Sequence, residues 1–330
     1  MMSIPMEKLP NIDLLQSLLT NYMFDIDGAV AVAICDRDGF IIASESKEKG
    51  GKESDSIMGA ISAFLDIYID RIKSEFQTQS NFFNITSMQD KKFAYCSMGP
   101  RSILTTIADP TTSDVELRIY SEYIAGKIEL VLEGYGKVST DIPEIIRVLS
   151  KRREGKLPKG RFTSKLILTG DFKVGKTSLI RRFIENLFSD SYISTIGVEI
   201  SKKAVVMDED TEVNFVLWDI GGQISSMAPY RRRFYEGASA AFIVIDRTRP
   251  NNLESVKMWY KDIKDSVSRD IPVVIVGNKS DLQDDLVVSE EEIKVVAKEL
   301  GFHYILTSAL TGENVNEAFL YIAYRFIERA

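Results

Sequence analysis

The sequence predicts a doubly wound α/β domain with a mostly parallel six-stranded sheet, preceded by an α+β domain with an antiparallel five-stranded sheet. Three observations lead there. Over residues 163–330, apolar strand-like runs alternate with helical patterns, the order that parallel strands require. Over residues 1–140 the order reads α-β-β-α-β-β-β-α, which lays helices over an antiparallel sheet. A length of 330 residues is enough for two cores.

In the first domain, residues 11–19 have helical spacing, with Ile12, Leu15 and Leu19 in one row and Leu14 and Leu18 beside it. Strands at 29–35 and 40–43 are joined by Asp36-Arg37-Asp38-Gly39, a hairpin turn with glycine near its end. A helix over about 56–76 places Ile57, Ile61, Phe64, Leu65, Tyr68, Ile69 and Ile72 on one broad face. Strands at 81–86, 92–97 and 101–108 and a helix over 113–133 complete it. Cys35 and Cys96, the only cysteines, lack metal-ligand spacing and read as small buried hydrophobes of a reducing compartment.

Residues 141–162 read as a basic helical linker. Asp141, Pro143 and Glu144 form a helix start, and the helix fades at Gly155, before Pro158 and Gly160. Residues 141–161 hold 7 Lys/Arg against 3 Asp/Glu, between a stretch with 13 against 20 and one with 21 against 25. Opposite charge favours a solvated helix packed between two acidic domains; docking on anionic lipid is the other reading.

In the second domain, strands are expected at 165–169, 213–218, 240–246, 272–277 and 303–306. An edge strand at 198–207 would hairpin onto Val213 through Asp208-Glu209-Asp210. Ser289-Glu290-Glu291-Glu292 is a capping box opening a helix that ends at Gly301. Ligands of such a sheet bind at the C-terminal ends of its strands.

The chemistry sits at those ends. Gly170-Asp171-Phe172-Lys173-Val174-Gly175-Lys176-Thr177 has the phosphate-loop spacing G-x-x-x-x-G-K-[ST] between a strand and a helix opening at Ser178. Its glycines let backbone N–H groups turn inward around a β-phosphate. Lys176 would reach the β/γ-phosphate oxygens and the Thr177 hydroxyl would ligate Mg²⁺. Asn278-Lys279-Ser280-Asp281 follows a buried strand, and a carboxylate at Asp281 can accept from both N1–H and N2–H₂ of guanine, a donor pair adenine lacks. Thr307-Ser308-Ala309 ends the next strand and could offer a backbone N–H to guanine O6.

Between these motifs lie candidate γ-phosphate sensors. Asp219, in Trp218-Asp219-Ile220-Gly221-Gly222-Gln223, would hold Mg²⁺ through water, Gly222 would lend a backbone N–H, and Gln223 would orient the attacking water. Upstream, Tyr192-Ile193-Ser194-Thr195 belongs to the candidate nucleotide site, with the Thr195 hydroxyl completing the Mg²⁺ shell. Phe188 either packs over the purine or sits in the core.

With these motifs in order, residues 163–330 resemble a Ras-superfamily small GTPase. The stretch Ser191 through Glu199 is similar to the first switch of Rab proteins, and the second switch looks more like the Arf and Rag type. The resemblance implies GTP/GDP binding with Mg²⁺, slow hydrolysis and two nucleotide-sensitive switch loops. It further implies effector, exchange and activating proteins as partners. Two positions depart from the pattern. Phe172 replaces a small residue and either crowds the γ-phosphate and any inserted arginine or points outward. Leu310 replaces a lysine whose stem covers the guanine, which leucine could also do. Arg231-Arg232-Arg233 is either a solvated, partner-binding helix face or a source of an arginine finger.

The first domain, with Gly28 to Gly39 at its centre, resembles roadblock domains, relatives of longin domains. That resemblance implies a platform for homodimers or hetero-assemblies through residues 1–140, without chemistry of its own. A general α+β domain with another role is the alternative.

Composition narrows the rest. Hydrophobic content of 45% and charged content of 27% fit an ordinary globular chain. His303 is the only histidine, so imidazole catalysis has no material. A net charge of −7 without a basic, aromatic-laced face argues against nucleic acid. No stretch is long and apolar enough for a membrane span. Met2 removes the myristoylation signal and the last residues lack a prenylatable cysteine, so no direct lipid anchor is expected. The expectation is a cytoplasmic GTPase switch, recruited to membranes peripherally through partners, in trafficking or polarity-type signalling. The alternative is a nucleotide-gated scaffold with negligible hydrolysis; an ATP-dependent enzyme would require Asp281 to be accidental.

Overall fold

The computed structural model describes residues 10–47, 52–76, 82–98, 102–151, 157–188, 197–208, 210–221, 232–250 and 252–329. The chain divides into two units, Met1–Arg152 and Arg153–Ala330.

In the first unit, the Asn11 side chain accepts the Leu14 amide and starts α1 (Ile12–Asp25). Strands β1 (Ala29–Asp36), β2 (Ile41–Ser46), β3 (Phe83–Ser87), β4 (Lys92–Met98) and β5 (Ser102–Ala108) form one antiparallel sheet, order β2-β1-β5-β4-β3. The helices are α2 (Lys52–Phe76), α3 (Asp114–Leu132) and α4 (Glu144–Lys151).

Both faces of this sheet are covered. Tyr22 of α1 bonds Thr106 of β5 and Ser121 of α3, each at 2.8 Å, on one face. On the other face Ser62 of α2 meets the neighbouring Thr105 at 2.9 Å, and Met58 packs on Ala31, Ala33 and Cys35. Every residue of β5 is buried in consequence. Cys35 and Cys96 are buried.

The apolar face of α2 is narrower than its sequence suggests. Met58, Ser62, Leu65 and Ile69 make the stripe that meets the sheet, whereas Phe64 and Tyr68 are 71% and 52% exposed. Phe64 lies across the helix from that stripe at 100° per residue.

The expected linker helix, α4, lies within the first unit. Ile145, Ile146 and Leu149 are buried, α4 packs on α3, and Arg147 Nε reaches Asp25 Oδ2 at 2.7 Å. Its approach is fixed by the buried Lys127 ammonium, which donates to the Ser139 carbonyl at 2.5 Å, and by Asn21 Nδ2, which donates to the Thr140 carbonyl at 2.9 Å. The basic side chains mark this stretch in the sequence; its three apolar residues decide where it packs.

The second unit has the sheet order β11-β10-β9-β6-β8-β7. Its strands are β6 (Gly160–Thr169), β7 (Val198–Asp208), β8 (Thr211–Ile220), β9 (Ala240–Asp246), β10 (Val273–Asn278) and β11 (His303–Leu306). Only β7 runs antiparallel to its neighbour. The helices are α5 (Lys176–Glu185), α6 (Asn252–Ser266), α7 (Glu290–Leu300) and α8 (Val315–Ile327). Both faces are filled. Phe183 of α5 stacks on Phe319 of α8, with Phe215 and Phe242 edge-on to the same ring. On the opposite face Trp259 and Ile263 of α6 and Ile293 of α7 pack with Tyr235.

Strand β6 starts five residues before the expected strand. Gly160 pairs with Thr211, its N–H donates to the Asp210 carbonyl at 2.8 Å, and the Thr211 hydroxyl donates to the Pro158 carbonyl at 3.3 Å. Lys159 pairs with Asp210 at the same end.

Candidate nucleotide-binding site

The loop between β6 and α5 turns where its glycines permit. Gly170 has φ 140° and a Cβ there would lie 2.1 Å from the Val244 carbonyl oxygen. Gly175 has φ 99° and a Cβ would lie 2.2 Å from Asn278 Nδ2. Any side chain at either position would break the loop's seat against β9 and β10. Lys173 adopts φ 64° without being glycine, strain of the kind held only where surroundings over-determine a loop.

Lys176 is 6% exposed, and its Nζ donates to the Gly170 and Asp171 carbonyls at 2.8 Å each. Burial pulls its pKa down to about 8, against the opposing pull of Asp219 and Asp171. The ammonium lies across the mouth of its own loop, where phosphate oxygens could take over from the two carbonyls.

The Thr177 hydroxyl donates to Asp219 Oδ2, joining the first turn of α5 to the end of β8. Among the described residues no three His, Cys, Asp or Glu side chains cluster to bind a metal by themselves. One hydroxyl and one carboxylate beside a phosphate loop fit Mg²⁺, which takes few protein oxygens and completes its shell with phosphates and water.

Asn278 ties three segments together. It is 1% exposed; Nδ2 donates to the Val174 carbonyl at 2.9 Å, and Oδ1 accepts from Ala309 N–H and Thr307 Oγ1, each at 3.2 Å. Of the Thr307–Ala309 backbone amides, one of which could face guanine O6, that of Ala309 is thus already bonded to Asn278. Ser308 Oγ donates to Asp281 Oδ1 at 2.6 Å and orients that carboxylate. Lys279, at φ 66°, contacts Asp246 Oδ2 at 2.6 Å.

Of the remaining candidates, Leu310 is 43% exposed and Phe188 half-buried. Phe172 is half-buried, its carbonyl accepts Arg249 Nη1 at 2.6 Å, and Lys173 Nζ lies 5.5 Å from its ring centroid. Ser178 is half-buried on α5. Tyr192, Thr195, Gly222, Gln223 and Arg231 lie outside the described residues; Arg232 and Arg233 are exposed.

Several participants carry no motif signal. Arg182 of α5 donates through Nε to the Ala309 carbonyl at 2.8 Å and through Nη2 to the Leu310 carbonyl. Trp259 Nε1 donates to Asp171 Oδ1 at 2.9 Å. Asp246, fully buried, receives Lys279, Arg249 and the Thr248 hydroxyl. Its place at the C-terminal end of β9 is the one sequence cue among these.

Fold and loop together define a P-loop nucleotide-binding domain. The Ras family matches residues 165–328. GTP-binding protein YPTM2 of Zea mays is 37% identical over 52% of this chain and 84% of its own length. Ras-related protein RABD2b of Arabidopsis thaliana is 37% identical over 49% and 80%, and GTP-binding protein ypt5 of Schizosaccharomyces pombe 38% over 48% and 75%. The chain belongs to the Ras family, a family of GTP-binding molecular switches and GTP hydrolases. The match falls on the second unit. Among the described residues no helix is long and apolar enough to cross a membrane.

Proposed function

We propose that this chain is a GTP-operated switch whose base and phosphate loops respond as one body. The observation that carries this reading is Asn278, bonded at once to the phosphate loop at Val174 and to the Thr307–Ala309 end of β11. Guanine would be read by Asp281, held by Ser308, with Lys279 and Leu310 flanking it. Lys176 exchanges its two carbonyl partners for the β- and γ-phosphates. Mg²⁺, held by Thr177, Asp219 and Thr195, would neutralise charge developing on the phosphates. Gln223 would orient the attacking water and Gly222 would lend its amide to the γ-phosphate, a role for each that rests on sequence.

Residues 1–140 act as a roadblock-like module that dimerises the chain or recruits a GTPase partner, with 141–162 as the connection to the switch at 163–330. The order of strands and helices supports this reading. Effectors, exchange factors and activating proteins would engage the switch loops. The setting is cytoplasmic with peripheral recruitment to membranes, in trafficking or polarity-type signalling.

Single-turnover GTP hydrolysis by the full chain, at low and high protein concentration, tests both halves. A slow rate that falls in Gln223→Leu supports the switch, and a rate rising with concentration supports dimer-assisted turnover. Equal displacement of a fluorescent guanine nucleotide by ATP and GTP would sink the reading. A second reading, a nucleotide-gated scaffold with negligible hydrolysis, is favoured by Phe172, whose benzyl group stands in the phosphate loop. Phe172→Ser then raises the rate about threefold to tenfold; an unchanged rate removes that explanation.

A further inference from the structure

Arg247 is 7% exposed, directly after β9, and the phosphate chemistry makes no use of it. Its guanidinium bonds the base-reading turn and the segment before α7. Nη1 donates to Ser280 Oγ at 3.2 Å and Nε to the Val288 carbonyl at 3.2 Å. Its own backbone is held on both sides: the Arg247 N–H donates to the Asn278 carbonyl at 3.2 Å, and its carbonyl accepts the Val287 and Val288 amides at 3.0 Å each. Gly277, next to Asn278, has the Arg247 Cδ 3.4 Å from where a Cβ would stand. Burial pulls the guanidinium pKa down, while Glu290 and Glu313 pull it up.

A buried arginine costs solvation that an aliphatic residue would not. Here the guanidinium spans the two ends of the loop that carries Asp281. Ser280 precedes Asp281, and Val288 precedes Ser289, the cap of α7. The loop is also tied by Ser280 N–H to the Thr307 carbonyl at 3.0 Å, Ser280 Oγ to the Gly277 carbonyl at 3.3 Å, Leu282 N–H to the Lys279 carbonyl at 3.2 Å and Ser308 Oγ to Asp281 Oδ1 at 2.6 Å; Arg247 alone among these joins its first residue to its last.

We propose that Arg247 is a positioning residue for base recognition: by bracing Ser280 against Val288 it aims the Asp281 carboxylate, and so sets the preference for a base bearing the exocyclic 2-amino group. The proposal rests on Asp281 as the guanine reader. Arg247 touches neither base nor phosphate.

The test compares dissociation of GDP and IDP, which differ only in that 2-amino group, from the full chain. In Arg247→Leu the preference for GDP over IDP shrinks about tenfold, the size expected when one of two charge-assisted contacts is mis-aimed. Arg247→Lys, which keeps a cation but reaches one acceptor, retains part of it. Ser280→Ala, a small change that leaves the core intact, reduces the preference in the same direction, and adding Arg247→Leu to it has a smaller further effect. A faster loss of both nucleotides with their ratio unchanged would make Arg247 merely structural and overturn the proposal. Should Arg247→Leu not fold, Ser280→Ala decides alone: an unchanged ratio overturns the proposal and a reduced one supports it. Asp281→Ala separates the two readings. If it leaves the wild-type preference intact, base reading by Asp281 fails and the Arg247 role with it. If it abolishes the preference while Arg247→Leu keeps it, only the role of Arg247 fails.

Discussion

Lys176 is the residue at which the site's charge and the solution pH meet. Its folded pKa of about 8 lies below the ordinary lysine value. Between those two values the unfolded chain holds a proton that the folded, nucleotide-free chain has released. The contribution of this group to stability therefore rises with pH across that window and is lost as pH falls through about 8. With Lys176 on the phosphates as proposed, their oxygens would favour the ammonium and binding would restore the proton. GDP binding at pH 8.5 is expected to take up a proton at Lys176 and at pH 7 little, and affinity falls as pH rises above about 8. Calorimetry in two buffers of different ionisation enthalpy checks this; equal heats at pH 8.5 would refute it. Asn278→Ala removes three bonds at once, and GDP should dissociate at least about tenfold faster, read by stopped-flow fluorescence.

At the scale of elements, local chemistry explains some predictions and distance explains the misses. The capping box at Ser289 forms with both reciprocal bonds, Ser289 N–H to Glu292 at 2.8 Å and Glu292 N–H to Ser289 at 3.3 Å. Ser289→Ala should cost about 1 kcal/mol of stability in the second unit, measured by denaturant unfolding. Leu149→Ala in α4 should cost about 2–4 kcal/mol in the first unit, because the side chain is fully buried. A solvated linker helix would lose almost nothing. The strands, the phosphate loop and the Asn278–Asp281 turn were legible because each is a short pattern of spacing and residue type. Arg182, Trp259 and Arg247 were not, since their partners lie 33 to 128 residues away in sequence. Phe64 on α2 was misplaced for a related reason: a broad apolar face does not say which third of it meets the sheet.

For the whole molecule, two separate sheets with separate cores predict two thermal transitions. GDP with Mg²⁺ should raise only one of them, by mass action on the unit that binds it. Differential scanning calorimetry at increasing GDP checks this; a single transition, or an equal shift of both, would show that the units unfold together. The same experiment on Leu149→Ala should lower the other transition alone.

The early start of β6 has a mechanical consequence. Residues 158–160 grip the β7–β8 turn through Pro158, Gly160 and the Lys159–Asp210 pair where the parallel ladder with β8 begins. Tension carried along the chain into the second unit meets this clamp first. A pull along β6 then loads the ladder from Gly160 to Leu168 in shear, so its hydrogen bonds resist together instead of opening one by one. The nucleotide loop, at the far end of the same strand, is shielded from force until that ladder fails.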